Sequence, residues 1–468
     1  MAIVGAFMVP HPPIILPEVG RGEEEKISLT KKSYEEVADR IAELKPETII
    51  ITSPHSVMYA DYFHISPGEG TTGNMAQFRA SEVSFVEDYD KELVDKISSL
   101  CMMDDFPAGS DGEKSPLLDH GTMVPLYFIR QKYEDFKLVR IGLSGLSLPM
   151  HYEFGQIIQK AVNDLGRKVV FVGSGDLSHK MKEDGPYGFA KEGPEYDERI
   201  MEVCRNADFE KLLDFDETFC ERAAECGHRS FTIMAGALDG MTITAKELSH
   251  EATFGVGYGI CTFEVGDKDD SRHFLEKWRA EKMALLKEKQ RGEDPYVELA
   301  RYSLESYIVS GKRLKLSDIE GKRWEKLPKE IFKEKAGAFV SIHKDGALRG
   351  CIGTILPTRE CVAEEILQNA ISAAVNDPRF PAITEDELPF LEMSVDVLGT
   401  PEPIKSKDEL DVKKYGVIVT SGRKRGLLLP NLDGVDTIDY QIEIACRKAG
   451  IYDDEEYSLE RFEVVRHE

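Results

Sequence analysis

The stretch "KVVFVGSGDLSH" (168–179) decides the fold of the first half of the chain. A β-branched, apolar run ends in a Gly/Ser turn, and the turn is followed at once by chemistry-bearing side chains. A continuous apolar run of this length reads as a strand buried on both faces, the habit of a parallel sheet. Working outward, "ETIIITSPHS" (47–56) and "FKLVRIGLS" (136–144) repeat the pattern, and "AIVGAFMV" (2–9) is a shorter version. Helix signals lie between these runs, at about Ser28 to Leu44 and in "FGQIIQKAVNDLG" (154–166). Strands alternating with helices predict an α/β domain with its functional residues where strands give way to loops.

Five histidines and a glutamate fall at such strand ends and turns: His11, His55, His120, His179, His250 and Glu251. The chain has only 11 histidines, so this concentration points to a site. Two imidazoles and one carboxylate suffice to hold a divalent metal, and a further imidazole remains for proton transfer.

Composition limits the alternatives. At 468 residues two or three domains are expected. The net charge of −26 is carried mainly by the first 270 residues and disfavours nucleic acid and anionic membrane as partners. No run of 18 or more apolar residues predicts a transmembrane helix. "MAIVGAFMVPHPP" lacks a basic leader region and reads as a first buried strand, not a signal peptide. Eight scattered cysteines without a CxxC pair fit free thiols in a reducing compartment, so a cytoplasmic location is expected.

A composition break follows. Residues 269–293 form a charged, helix-forming linker between a first domain, 1–268, and a second, 294–468. In the second domain, "PYVELARYSLESYIVSG" (295–311) is an amphipathic helix and "GAFVSIHKDGALRGCIG" (337–353) a hairpin turning at Asp345-Gly346. "CVAEEILQNAISAAVND" (361–377) and "YQIEIACRKAG" (440–450) are helical, with further strands between them. This irregular order predicts an α+β class. Arg349 offers a contact for an anion, and Cys351 reads as a small buried residue before it reads as a nucleophile.

Taken in order, the "HPP" segment, "SPHS" (53–56), "DHGTMVPLYF" (119–128), "GSGDLSH" (173–179) and "HEATFGVGYG" (250–259) resemble the class III, LigB-like extradiol dioxygenases over roughly 1–265. The resemblance implies a metal-binding α/β domain. It also implies Fe(II) held by His11, His55 and Glu251, with Zn(II) or Mn(II) as other occupants. His179 matches the family's acid/base histidine and His120 a residue lining the substrate pocket; both are expected catalytic residues. His250 receives no role. The implied substrate is a small aromatic or cyclic molecule, chelated through two oxygens and opened beside the diol.

"LRGCIG" (348–353), with "NAISAAVNDPRFPAI" (369–383) and "GLLLP" (426–430), resembles the AMMECR-type domain over about 294–465. That domain is associated with Memo-type and radical-SAM proteins, which are the expected partners beside a homo-oligomer. Three functions stay open. One is an Fe(II) extradiol-type dioxygenase. A second is a metal enzyme that activates a carbonyl or cleaves a C–C bond hydrolytically, without oxygen. The third is a metal-binding interaction module.

Overall fold

In the computed structural model, residues 3–112, 117–319, 324–344, 346–432, 434–452 and 455–468 are described. Contacts divide the chain into Met1–Ala280 and Glu281–Glu468.

Among the described residues, the first unit holds ten strands: β1 (Ile3–Val9), β2 (Thr48–Ser53), β3 (Phe63–His64), β4 (Gly70–Met75), β5 (Ala80–Asp88), β6 (Ala108–Gly109), β7 (Lys137–Gly142), β8 (Val169–Ser174), β9 (Met241–Glu251) and β10 (Tyr258–Lys268). Its helices are α1 (Pro17–Gly20), α2 (Ser28–Leu44), α3 (Lys91–Met103), α4 (His120–Arg130), α5 (Leu148–Leu165), α6 (Glu192–Asn206), α7 (Glu217–Ala223) and α8 (His228–Ala237). α9 (Phe274–Arg291) crosses the division between the units.

Six strands form the main sheet in the order β7-β2-β8-β1-β10-β9. β7, β2, β8 and β1 are parallel, as their apolar runs predict. β10 and β9 extend the sheet antiparallel, so it is mixed. The alternation of side chains along each strand builds two cores. Phe7, Val9, Ile49, Ile51, Val170 and Val172 face α2 and α4. Ala6, Met8, Ile50, Val169 and Phe171 face α3, α5, α6 and α8. A one-residue slip would exchange the two sets, but here both faces are apolar, so register rests on packing shape. The hairpin of β4 and β5 and the short pair β3–β6 lie off this sheet.

Within its own unit, each end of α9 is tied by charge. Arg279 pairs with Glu153 and Trp278 donates its indole N–H to Asp214, while Lys289 pairs with Glu392. Within the linker expected over 269–293, the helix runs Phe274–Arg291.

The second unit contains α10 (Pro295–Ser310), α11 (Val362–Val375) and α12 (Ile438–Ala449). Its strands are β11 (Ala338–Lys344), β12 (Ala347–Gly353), β13 (Leu391–Leu398), β14 (Glu402–Ile404), β15 (Tyr415–Ser421), β16 (Lys424–Leu428) and β17 (Ser458–His467). They pair antiparallel in the order β12-β11-β13-β17-β15-β16, with β14 on β17. α10 and α11 cover one part of the sheet and α12 another. The expected β11–β12 hairpin forms. Gly346 takes φ 80°, the left-handed conformation that suits glycine, while Asp345 lies outside the described residues.

Candidate metal centre

The carboxyl ends of β1, β2 and β8, adjacent or one strand apart in the sheet, deliver His11, His55 and the 175–179 turn to one place. The His11 and His55 Nε2 atoms lie 3.0 Å apart. The Cys226 sulfur is 3.6 Å from His11 Nε2, and these three side chains form a group able to hold a metal. Two ligands set at right angles around an ion at about 2.1 Å are roughly 3.0 Å apart, so the imidazole spacing fits shared coordination.

The local sequence prepares each donor. The His11 backbone N–H donates to Asp176 Oδ1 at 2.7 Å, and its Nδ1 lies 3.0 Å from Ser174 Oγ. The Ser174 hydroxyl proton goes to the Gly121 carbonyl at 2.6 Å. Ser174 therefore accepts from His11 Nδ1–H, which leaves Nε2 with a free lone pair, as a ligand requires. Burial, then the neighbouring His55, lowers the His11 pKa to about 3. Burial lowers His55 as well, so both imidazoles are neutral at pH 7. Burial, with Asp176 and Glu225 nearby, raises the Cys226 thiol well above its usual range. A cation beside that sulfur reverses this by favouring the thiolate.

Glu251 does not join this group. Its Oε2 accepts the Thr30 backbone N–H at 2.7 Å and the Thr30 hydroxyl at 2.6 Å. Thr30 lies in the first turn of α2, whose N-cap residue Ile27 supplies no side-chain cap. Glu251 is thus a remote cap for a helix terminus, where N–H groups lack partners and a negative charge is favoured. Of the expected ligands His11, His55 and Glu251, the structure brings the two histidines together, places Glu251 on Thr30, and sets Cys226 beside the histidines. Sequence reasoning passed over Cys226 because it belongs to no metal-spacing motif. The available signal was a Cys-Gly turn immediately before a buried helix, "ECGHRS" (225–230).

His179 is near enough to act electrostatically on His11 and His55. Its Nδ1 is 2.6 Å from the Ala224 carbonyl, so Nδ1 carries the proton and Nε2 is the basic atom. The Tyr187 ring meets it edge-on at 5.1 Å. His120 is the first residue of α4, and its ring lies 4.0 Å from that of His55. Burial, followed by His55 and His11, lowers its pKa to about 4. A cleft of about 600 Å³ opens beside these rings, lined by His55, His120, Asn74, Gln77 and Arg140 among others.

His250, without a role in the sequence, pairs with Asp197 at 3.0 Å. The other Asp197 oxygen accepts the Ser178 N–H at 2.8 Å. His250 therefore braces the turn that carries His179.

In the second unit Arg349 is largely committed to the protein, with four of its five N–H donors engaged. It forks onto Glu387 and donates to the Pro381 and Ala382 carbonyls. Cys351 is half-buried, accepts from the Ser341 hydroxyl at 3.3 Å, and has its backbone N–H held by Asp377.

Residues 5–261 match the family described as the catalytic LigB subunit of aromatic ring-opening dioxygenase, and residues 297–467 match AMMECR1. Protein CA_C1420 of Clostridium acetobutylicum is 44% identical over 100% of this chain and 99% of its own. A Thermotoga maritima protein is 50% identical over 38% of this chain and 98% of its own. Among solved structures, uncharacterized protein PH0010 of Pyrococcus horikoshii is 30% identical, covers 36% of this chain and 88% of its own, and has a TM-score of 0.33. Uncharacterized protein JW3007 of Escherichia coli K12 is 13% identical, covers 55% of this chain and 99% of its own, and has a TM-score of 0.38. The chain therefore belongs to the family of the catalytic LigB subunit of aromatic ring-opening dioxygenases, with an AMMECR1 domain fused behind it.

Proposed function

We propose that the first domain is a metal-dependent oxidoreductase acting on a small phenolic or cyclic substrate, with the metal held by His11, His55 and Cys226. The convergence of those three donors carries this reading. One thiolate beside two imidazoles is a softer set than two imidazoles and a carboxylate, and it favours iron, zinc or copper over manganese. A bound ferrous ion would supply a redox-active Lewis acid that makes a coordinated phenol more acidic.

The protein's own part is binding and proton handling. The cleft beside His55 and His120 accepts a flat molecule. His179 Nε2 takes a phenolic proton and later returns it, because its tautomer is fixed by Ala224. The neutral His120 hydrogen-bonds to a substrate oxygen. Asp197, held by His250, keeps the His179 turn in place.

Ring opening with dioxygen is the reading favoured by the family description. Carbonyl activation without oxygen is favoured by the thiol, since a carboxylate completes the usual oxygenase triad. One experiment tests both. The full chain is prepared without oxygen, loaded with Fe(II) or Zn(II), and given a panel of catechols and cyclic diketones. Oxygenase action requires Fe(II) and consumes oxygen and catechol one for one. Turnover with Zn(II) under strict anaerobiosis supports the second reading. If Cys226→Ala binds either metal as tightly as the wild type, the proposed centre is wrong.

A further inference from the structure

Tyr258, the first residue of β10, stands beside the metal centre with nothing assigned to it. The backbone fixes its position. Leu177 N–H donates to the Gly257 carbonyl at 2.9 Å, and Gly257 N–H donates to the Ser178 carbonyl at 2.8 Å. These bonds lay the start of β10 along the turn that carries Asp176 and His179. Gly257 packs directly against the Asp197 carboxylate, leaving no room for a side chain there.

Tyr258 is 3% exposed, yet its hydroxyl makes no hydrogen bond to any described residue. The ring is enclosed, but the hydroxyl is not among the fully buried polar atoms that lack a partner, so its oxygen is open to a ligand. The ionisable neighbours acting on it are Asp176 and Tyr187. Asp176 belongs to the turn behind His11, and Tyr187 is the residue whose ring meets His179. Burial, then the Asp176 charge, raises the Tyr258 pKa, so the group is a phenol and can donate.

The segment bearing Tyr187 is built as a flap. Met181 pairs with Phe189, and Met181 N–H and the Lys182 ammonium are held by the Gly255 and Thr253 carbonyls. Tyr187 and Phe189 at its end are 61% and 47% exposed, an unusual amount of aromatic surface for a free loop.

We propose that the Tyr258 hydroxyl donates a hydrogen bond to a phenolate or carbonyl oxygen of the substrate, on the His179 side of the centre, with the Tyr187 flap as the outer wall. This rests on the proposed metal centre and names the substrate feature it recognises: an oxygen acceptor on a flat ring.

The test uses the Zn(II)-loaded full chain, which holds the probe without redox turnover, and 4-nitrocatechol, whose absorbance reports binding. Tyr258→Phe removes only an atom without a partner, so zinc content and melting temperature stay at wild-type values. Affinity for the probe falls about tenfold or more, the scale of a hydrogen bond to a charged oxygen. In a 3-fluorotyrosine-labelled wild-type chain, the resonance absent from Tyr258→Phe moves when the probe is added. Wild-type affinity in Tyr258→Phe, a stationary resonance, or an affinity loss accompanied by lost zinc would each overturn the assignment. If the wild-type chain binds 4-nitrocatechol no better than its metal-free form, the proposed substrate class fails and this proposal with it.

Discussion

Replacing Glu251 by alanine separates a ligand from a cap. In the structure the carboxylate neutralises two donors of Thr30, at 2.7 and 2.6 Å, in the first turn of α2. Thr30 itself is fully buried, so its N–H and hydroxyl find no water when the carboxylate is gone. Two hydrogen bonds to a half-buried charge contribute about 1 kcal/mol each, and the favourable charge at a helix N-terminus adds roughly 0.5 kcal/mol. The total, about 2–3 kcal/mol, lowers the melting temperature of a domain of this size by roughly 5–10 °C. Glu251→Gln keeps an acceptor oxygen and loses about half as much. Cys226→Ala does the reverse. Its sulfur makes only long contacts, 3.6 Å to His11 and 3.7 Å to the Asp176 carbonyl, so the metal-free protein keeps its melting temperature. Its affinity for Zn(II) falls at least about 100-fold, as loss of one ligand of three demands. Chelator-stripped variants are melted by calorimetry and then titrated with Zn(II) against a competing chelator. If Glu251→Ala loses zinc while its metal-free form melts like the wild type, Glu251 is a ligand and the capping argument is refuted.

Other outcomes follow from the same geometry. His179→Ala retains its metal but turns over substrate about 100- to 10,000-fold more slowly, measured by steady-state kinetics beside metal analysis. His250→Leu leaves the Asp197 carboxylate buried without its partner, so turnover falls while Zn(II) affinity is kept; an unchanged rate would remove its bracing role. His11, His151 and His228 are buried, and burial lowers their pKa values to about 3, 3 and 4. The unfolded chain binds these protons near pH 6.5 and the folded chain does not. Metal-free stability is therefore full above about pH 6.5 and falls as pH drops toward 4, by up to about 1.4 kcal/mol per pH unit for each histidine. The raised pKa of His250 offsets part of this, and urea midpoints across pH 4.5–7.5 give the slope. Arg349→Ala strands the Glu387 carboxyl, which Arg349, Thr384 and Lys344 hold at about 2 against the opposing effect of burial. The second unit then loses about 3 kcal/mol, read as an earlier unfolding step.

The parallel strands were legible because burial on both faces leaves a continuous apolar run, as in "TIIITS" (48–53) and "VVFVGS" (169–174). The histidines that follow such runs were legible for the same reason: a sheet of this kind gathers its functional groups at the carboxyl ends of its strands. The antiparallel additions were harder. β9 alternates exposed and half-buried positions, and its pairing with β10 follows only from tertiary register. The role of Glu251 was not legible at all. It depends on Thr30, 221 residues away, and on a helix whose own N-cap residue is an isoleucine. An acidic residue before a glycine-rich turn reads equally as ligand or cap until the partner is known. Cys226 was hidden by the opposite circumstance, a common residue type with no motif around it.

The "DHG" segment shows how closely the centre is tied to the fold. Asp119 caps α4 through the Thr122 N–H and hydroxyl, and the same carboxylate accepts the Ser53 hydroxyl at the end of β2. The Arg140 guanidinium of β7 stands 3.8 Å away. Gly121 is required beside it, because a side chain there would strike the Ser53 hydroxyl and crowd the Asp119 carboxylate. The carbonyl of Gly121 in turn receives the Ser174 proton and so sets the tautomer of His11. One turn of chain thus positions His120, supports the strand end before His55 and prepares the Nε2 lone pair of His11. The donors are held by bonds made before any metal arrives, so little order remains to be imposed on binding. A substitution such as Asp119→Ala should consequently weaken metal binding without touching a ligand, while Asp119→Asn, which keeps an acceptor for Thr122, should retain most of it.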